Sequence, residues 1–434
     1  MRKWSSVKVG LSVFLLLSLF LPPAWSEEAI KPVKLTLQDC YQLALKRSET
    51  IAIRKEEIER TEAQFLQAAG EVVGDMDFVI SNTRQDAQKG TSTSSSTLTA
   101  PSRRERKFAL TQPLFQGFKS FAAISGAGSL KKQRKAEEAR ARQLLFLDVT
   151  NAFYEVLRSQ RDIEITEKIR RLLEERVGDL KEREKIGRSR PSEVVTASAK
   201  EKSTDAELAR LARTLANQLH ILEFLIGTSA KPEQLQDEIE APGVKPELAE
   251  YLLKVHFRLD VEASRQAAKT ALQNIVVAQS GLWPQLDLEL NKYEKREGPQ
   301  SGIDWDMLLT FTIPIFKGGE TAGKIKDAVS LWKQSKLSSQ LTEREAALEV
   351  KQAFEDVVAS QNELRALEEF VKASEENFRL QREEYAKNLV NNLEVLAALE
   401  SLSEAQVETN RAHYQWKENF WKLQVASGVC CESV

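Results

Sequence analysis

Pro113, Phe115 and Gly117 recur as Pro314, Phe316 and Gly318, each 201 positions later, within the paired stretches FALTQPLFQGFKS and LTFTIPIFKGGET. The offset persists without a gap. Val149, Phe153, Val156, Gln160 and Ile163 fall on Val350, Phe354, Val357, Gln361 and Leu364, Glu193 on Glu394, and Gly227 on Gly428. Upstream it grows to about 210, because the first copy carries an insertion with the polar tract TSTSSSTLT, 91–99, which cannot bury enough surface to order itself. The chain must therefore fold as two like halves, 27–230 and 246–434, joined by the proline-bearing linker 231–245.

Each half opens with helical text; Thr36 followed by Asp39 resembles a capping box with aspartate in the usual glutamate place. The period then changes. Leu286, Leu288 and Leu290 alternate with Asp287, Glu289 and Asn291, and Leu309, Phe311, Ile313 and Ile315 alternate with Thr310, Thr312 and Pro314. Period two means strands, expected at 75–84, 106–115, 285–293 and 307–316. Gln112 interrupts the alternation of Leu110 and Leu114 and is expected at the rim of the sheet. After the glycines, no proline occurs from Phe118 to Ile186, and apolar residues step by three and four through Phe146, Val149, Phe153 and Val156. That is coiled-coil spacing, and a helix of this length would reach about 100 Å at ~1.5 Å per residue. Tips are expected at 186–194, around Gly187 and Pro191, and at 387–395, around Asn388, Asn391 and Asn392.

The N-terminus places Arg2, Lys3 and Lys8 before an apolar run, Val9–Leu21, then Pro22, Pro23 and AWS: a secretory signal over 1–26. The run is too short for the ~20 residues of a membrane-spanning helix. Any membrane crossing must then use strands. A net charge of -2 with 29% charged residues of both signs argues against nucleic acid as a partner. Cys40, Cys430 and Cys431 lack metal-ligand spacing, and a bridge from Cys40 to either of the others stays open. His220, His256 and His413 are scattered, no nucleophile elbow or phosphate-cradling loop is present, and Met76 and Met307 are the mature chain's only thioethers. Neither an enzyme nor a cofactor is indicated.

Four strands with one lipid-compatible face cannot close, and an open edge in hydrocarbon leaves backbone groups unsatisfied at several kcal/mol each. Chains must pool their strands into a shared barrel, apolar outside and polar inside. LTLQDCYQLAL near the mature N-terminus, QPLFQGF and IPIFKGG at the strand exits, and GRSRPSEVVTA and NLVNNLEVLAALES at the tips together resemble the outer membrane efflux protein family, the TolC-like channel-tunnels. The resemblance implies an α+β membrane protein. It would be a homotrimer with a shared 12-stranded antiparallel β-barrel, four strands per chain, continued by a long coiled-coil α-helical barrel. It also implies a place in the outer membrane of a Gram-negative-type bacterium, and docking to a periplasmic adaptor and an inner-membrane pump of RND, ABC or MFS type. The duct would serve tripartite efflux or type I secretion. The rival reading is a soluble periplasmic coiled-coil protein, structural or adaptor-like.

From the family, Glu394 with Asn391 and Asn392 is expected at the periplasmic entrance constriction. Ala397 stands where the family often adds a second acid, so a single anionic ring is implied. A structural alternative is that Glu394 caps or solvates the tip. Gly187, Arg188, Arg190, Pro191, Glu193, Asn388 and Leu389 are the expected adaptor-docking tips, with Glu193 expected to pair with Arg188 or Arg190. Pro113 and Pro314 should end strands, since proline cannot donate to a ladder, and Gly117, Gly318 and Gly319 should free the bend into the helix. Trp283, Trp305, Phe311 and Phe316 are candidate interfacial anchors, and Arg103–Lys107 a candidate solvated rim.

Overall fold

The computed structural model describes residues 34–84, 102–238, 247–297 and 300–428. The expected signal peptide, the 91–99 tract, Cys430 and Cys431 lie outside the described residues. In the first half, α1 (Leu37–Arg47) and α2 (Glu49–Val73) lead to β1 (Asp75–Arg84), β2 (Ser102–Gln116), α3 (Lys119–Lys185) and α4 (Pro191–Ile226). In the second, α5 (Leu248–Lys254) and α6 (Leu259–Gln279) lead to β3 (Gln285–Arg296), β4 (Trp305–Thr312), α7 (Glu320–Ala386) and α8 (Asn392–Ala426). The Thr36 hydroxyl accepts from Asp39 N–H and the Asp39 carboxylate accepts from Thr36 N–H at 3.0 Å, closing the capping box at α1.

The four strands form one antiparallel sheet in the order β1-β2-β3-β4. Pairing of Phe78 with Phe108, Leu110 with Leu290, and Leu290 with Met307 puts the apolar positions on one face. Met76, Ile80, Met307, Leu309 and Phe311 on that face are all more than half exposed. The other face is polar: Asp306 accepts from Asn291 Nδ2 at 2.9 Å and from Tyr293 Oη at 2.8 Å, and Arg296 bridges Glu105 and Asp306. Both methionines sit on the apolar face, away from this polar network. β2 runs through Arg103–Lys107, where Glu105 is held by Arg103 and Arg296, so the basic run expected as rim is strand.

Pro113 lies inside the β2–β3 ladder opposite Asp287, next to a register shift, and pairing continues to Gln116. The expectation that β4 reaches 316 is corrected: it ends at Thr312, opposite Gln285, and Pro314 lies beyond the ladder. The reason is which neighbour pairs each tail. Among the described residues, β2 past Thr111 is paired only by β3, a strand of the other half, and β4 has no such neighbour on its outer side. Gln112 has a local task. Its amide donates to Val72 O at 2.7 Å, satisfying a carbonyl of the last turn of α2 where Gly74 makes the bend into β1.

Below the sheet the core lies along α3. Phe146, Val149, Phe153, Tyr154 and Val156 are fully buried against α1, α4 and α8. Cys40 joins them as a buried free thiol pushed up to about 12 by desolvation, so it packs as a small hydrophobe. Among the described residues no helix is long and apolar enough to cross a membrane.

Desolvation and the nearby Glu155 push the Glu418 carboxyl of α8 up from the ordinary 4.5 to about 7, with Arg158 opposing. A raised carboxyl pKa means the folded state binds the extra proton, so stability is expected to fall as pH rises from about 4.5 to about 7. Glu418→Gln should remove that fall. Thermal unfolding at pH 8 should favour the variant and at pH 4 the difference should vanish; equal pH slopes would refute the assignment.

Candidate channel entrance

The two tips follow one backbone pattern. Gly187 and Asn388, 201 positions apart, both take left-handed φ, +73° and +58°. Arg188 N–H donates to Arg183 O at 2.8 Å, and Leu389 N–H to Glu384 O at 3.0 Å, closing α3 and α7 in the same way. Asparagine tolerates the conformation that glycine takes freely, so either serves as the turn. Pro191 then starts α4 at its first turn, where the missing N–H costs nothing.

Between the turns lies a packed cluster drawn from all four long helices. Tyr385 of α7 is 6% exposed. Its ring carries the Arg176 guanidinium at 3.7 Å and that of Arg183 at 4.8 Å, and its hydroxyl reaches Glu193 Oε2 at 3.5 Å. Arg176 Nε donates to Asn392 Oδ1 at 2.9 Å, and Asn392 Nδ2 to Glu193 O at 3.4 Å. Burial lowers the Arg176 pKa. Leu173, Leu180, Val194, Val395 and Leu399 close the cluster from below.

This arrangement changes two assignments. Asn392, expected at the constriction, is 3% exposed and ties α8 to α3 and α4. As the first residue of α8 it faces the other hairpin, an orientation fixed by packing between halves. Glu193 is held by Ser189 Oγ at 2.7 Å and by Tyr385, and among the described residues it makes no ion pair with Arg188 or Arg190, both of which are exposed. Sequence reading missed Arg176, Arg183 and Tyr385, because each looks like one more residue of a solvated helix.

Glu394 is exposed, and its carboxylate accepts from Asn391 N–H at 2.8 Å while Asn391 Oδ1 accepts from Leu393 N–H and Glu394 N–H. The two residues form a capping box at the start of α8. In the two tip segments Ile186, Val195, Leu389 and Leu393 are each about two-thirds or more exposed, and Arg188 and Arg190 are exposed as well. Among the described residues no group of histidines, cysteines and carboxylates could hold a metal ion.

At the other end, Gly117, with φ +60°, turns β2 into α3; a β-carbon there would sit 2.7 Å from Trp283 Cβ and 2.8 Å from Ser280 O. Trp283 stacks edge-on against Phe118 at 5.9 Å, and is half exposed, as are Trp305 and Phe311. Gly318 and Gly319 take the same left-handed turn, φ +58° and +84°, before α7. Phe316 is 86% exposed.

The profile of the family described as "Outer membrane efflux protein" matches residues 40–228 and 256–429, one match in each half. The outer membrane protein TolC of Vibrio cholerae is 23% identical over 332 residues, covering 74% of this chain and 76% of that protein. The probable efflux pump outer membrane protein TtgC of Pseudomonas putida is 24% identical over 300 residues, covering 64% of this chain and 59% of the relative. Among solved structures, the outer membrane protein VceC of Vibrio cholerae superposes with a TM-score of 0.80 at 20% identity, covering 90% of this chain and 96% of that one. The open state of the MtrE outer membrane channel of Neisseria gonorrhoeae gives 0.75 at 19% identity, covering 93% and 94%.

Proposed function

Because the chain belongs to the outer membrane efflux protein family, we propose that it is a homotrimeric outer-membrane exit duct, passively passing substrates from an inner-membrane pump and periplasmic adaptor to the exterior. The observation that carries this reading is the sheet. It has four strands, one exposed apolar face, one polar face and two open edges, standing on helices of 67 residues. Lipid accepts that sheet only inside a closed barrel, and three chains supply twelve strands. An exposed apolar sheet of this kind speaks against the soluble coiled-coil reading. The family consists of transport ducts, which supports a role in conduction.

Fractionation tests this reading. Recovery from the outer membrane as a detergent-stable trimer is expected, and a soluble monomer would end it.

At the periplasmic end, Glu394 supplies the entrance carboxylate, one from each subunit, and the apolar tips Leu389 and Ile186 with Arg188 and Arg190 supply the adaptor contact. Three carboxylates about one axis attract cations and slow anions. Since Glu394 also caps α8, the informative change is Glu394→Gln, which keeps the capping box and removes the charge. Single-channel recordings should show cation preference falling while the folding stability holds within about 0.5 kcal/mol of wild type. Unchanged ion selectivity would leave Glu394 a cap alone.

A further inference from the structure

The basic run Arg103–Lys107 is divided by the strand's period of two. Arg103 and Lys107 are half-buried on the polar face with Arg296, and each of the three meets a carboxylate there. Glu105 accepts from Arg103 at 2.9 Å and from Arg296 at 3.1 Å, and Lys107 lies 3.9 Å from Glu289. Arg104 and Arg106 are exposed on the other face, in line with Phe108 and Leu110. Register brings further cations to them. Arg106 stands opposite Ile80 on one side and Lys295 on the other, and Lys292 lies between Phe108 and Trp305. The register shift between Arg106 and Lys107 gives β3 one extra residue, Glu294, so that Lys295 joins the apolar face while Arg296 stays on the polar one. Arg84 is two positions beyond Asn82, the partner of Arg104.

Arg84, Arg104, Arg106, Lys292 and Lys295 are all exposed and cap the apolar band at the end of the sheet away from the helices. Two carboxylates stand with them: Glu294 is 3.7 Å from Arg106, and Glu297 is 2.9 Å from Lys295. Both pairs are open to solvent and therefore weak. Among the described residues Arg84, Arg104 and Lys292 make no ion pair. Like charges directly across a ladder, as at Arg106 and Lys295, weaken the strand pairing unless an anion joins them. The polar face balances its cations, and the apolar face does not.

We infer that this cationic cap is a binding surface for the phosphate groups of an anionic lipid in the outer leaflet of the membrane. The inference rests on the duct reading, which puts the helices in the periplasm and this end of the sheet at the outer surface of the bilayer. The apolar positions stop at Phe108 and Trp305, and the cations begin one step further out. At that depth they meet headgroups, whereas an arginine at the bilayer midplane would be strongly destabilising. Phe78 and Phe108, with ring centroids 4.8 Å apart, and Trp305 supply the aromatic level just beneath. A guanidinium offers phosphate two parallel donors, and a lysine adds a point charge. Phosphate between Arg106 and Lys295 would turn their repulsion into a bridge across β2 and β3.

The test measures lipid retained by full-length trimers in detergent, offered lipid A with both phosphates, dephosphorylated lipid A, or inorganic phosphate alone. Wild type is expected to retain the phosphorylated lipid, to release the dephosphorylated one, and to gain heat resistance from the first but not from inorganic phosphate. Arg106→Gln with Lys295→Gln should weaken retention by about fivefold for each cation removed. Without lipid A the same variant should be at least as heat-resistant as wild type, because a like-charge pair has gone; this separates lost binding from lost folding. Arg104→Lys with Arg106→Lys keeps the charge and should keep most of the retention. Equal retention of both lipids, an equal gain from inorganic phosphate, or unchanged retention by the Arg106→Gln and Lys295→Gln variant would overturn the lipid site while leaving the duct standing. A wild type recovered as a soluble monomer would overturn the duct itself.

Discussion

Gly117→Val should remove the heat-resistant trimer from the outer membrane. Its φ of +60° lies in the left-handed region, which costs a side-chain-bearing residue roughly 1–2 kcal/mol. A valine would also drive its β-carbon to 2.7 Å from Trp283 Cβ and 2.8 Å from Ser280 O. One of these neighbours is backbone and the other is the root of a side chain, so neither can swing aside, and overpacking adds about 1–3 kcal/mol. The sum, about 2–5 kcal/mol per chain, falls three times in a trimer. Gly128→Ala is the control, since its site has nothing within 4 Å and lies in helix α3, where alanine gains about 1 kcal/mol over glycine. Detergent gels of heated membranes check both. A Gly117→Val trimer as heat-resistant as wild type would refute the close approach at this turn.

Arg258→Ala should cost about 3–5 kcal/mol, the range for breaking a buried ion pair from one side. The Arg258 side chain is 2% exposed. It pairs with Asp260 at 2.5 Å and Glu349 at 2.7 Å, and donates to Ala426 O at 3.0 Å, joining α6, α7 and the end of α8. Alanine removes the nearer cationic partner of both carboxylates, leaving them, among the described residues, only the more distant Arg140, and takes away the donor to a helix-end carbonyl. Arg258→Lys keeps the charge but loses the fork that meets Asp260 with two donors, so an intermediate loss is expected. Against desolvation, Arg258 and Arg140 hold the Asp260 carboxyl below its ordinary 3.8. Stability from that carboxyl is present above 3.8 and fades as pH falls below it, so the gap between Arg258→Ala and wild type should narrow in acid. Denaturant unfolding at pH 7 and pH 3 measures this, and a gap that widens in acid would contradict the pairing.

The helices and strands could be read from the chain because their signals are local. Thr36 and Asp39 are three residues apart and close their capping box whatever surrounds them. The alternation of Leu286, Leu288 and Leu290 names a strand face by period alone. Local signals also marked the turns at Gly187 and Asn388, which share one backbone conformation at an offset of 201. Strand ends were harder, because a strand stops where its neighbour does. β2 outruns its alternation into Arg103 because Glu105 and Arg296 pair across the ladder, and β4 stops at Thr312, opposite Gln285, where β3 begins. Polar partners were the least legible. Glu193 sits beside Arg188 and Arg190 in sequence but meets Tyr385 from 192 positions away, and Asn392 is drawn inward by Arg176 from 216.

By itself the sequence determined that two halves share one plan, that each half alternates helix and strand, and that any membrane crossing must be by strands. These conclusions need only periodicity, proline placement and a repeated offset, all of which are properties of near neighbours along the chain. The tertiary structure alone decided which carboxylates cap, which are locked and which face open water. Hydrogen bonds and burial depend on what distant segments bring to a site, and no spacing rule carries that information. For the same reason Gly117 and Gly318 read alike in the sequence, while the fold shows that among the described residues only the turn at Gly117 is closely packed, by Trp283 and Ser280.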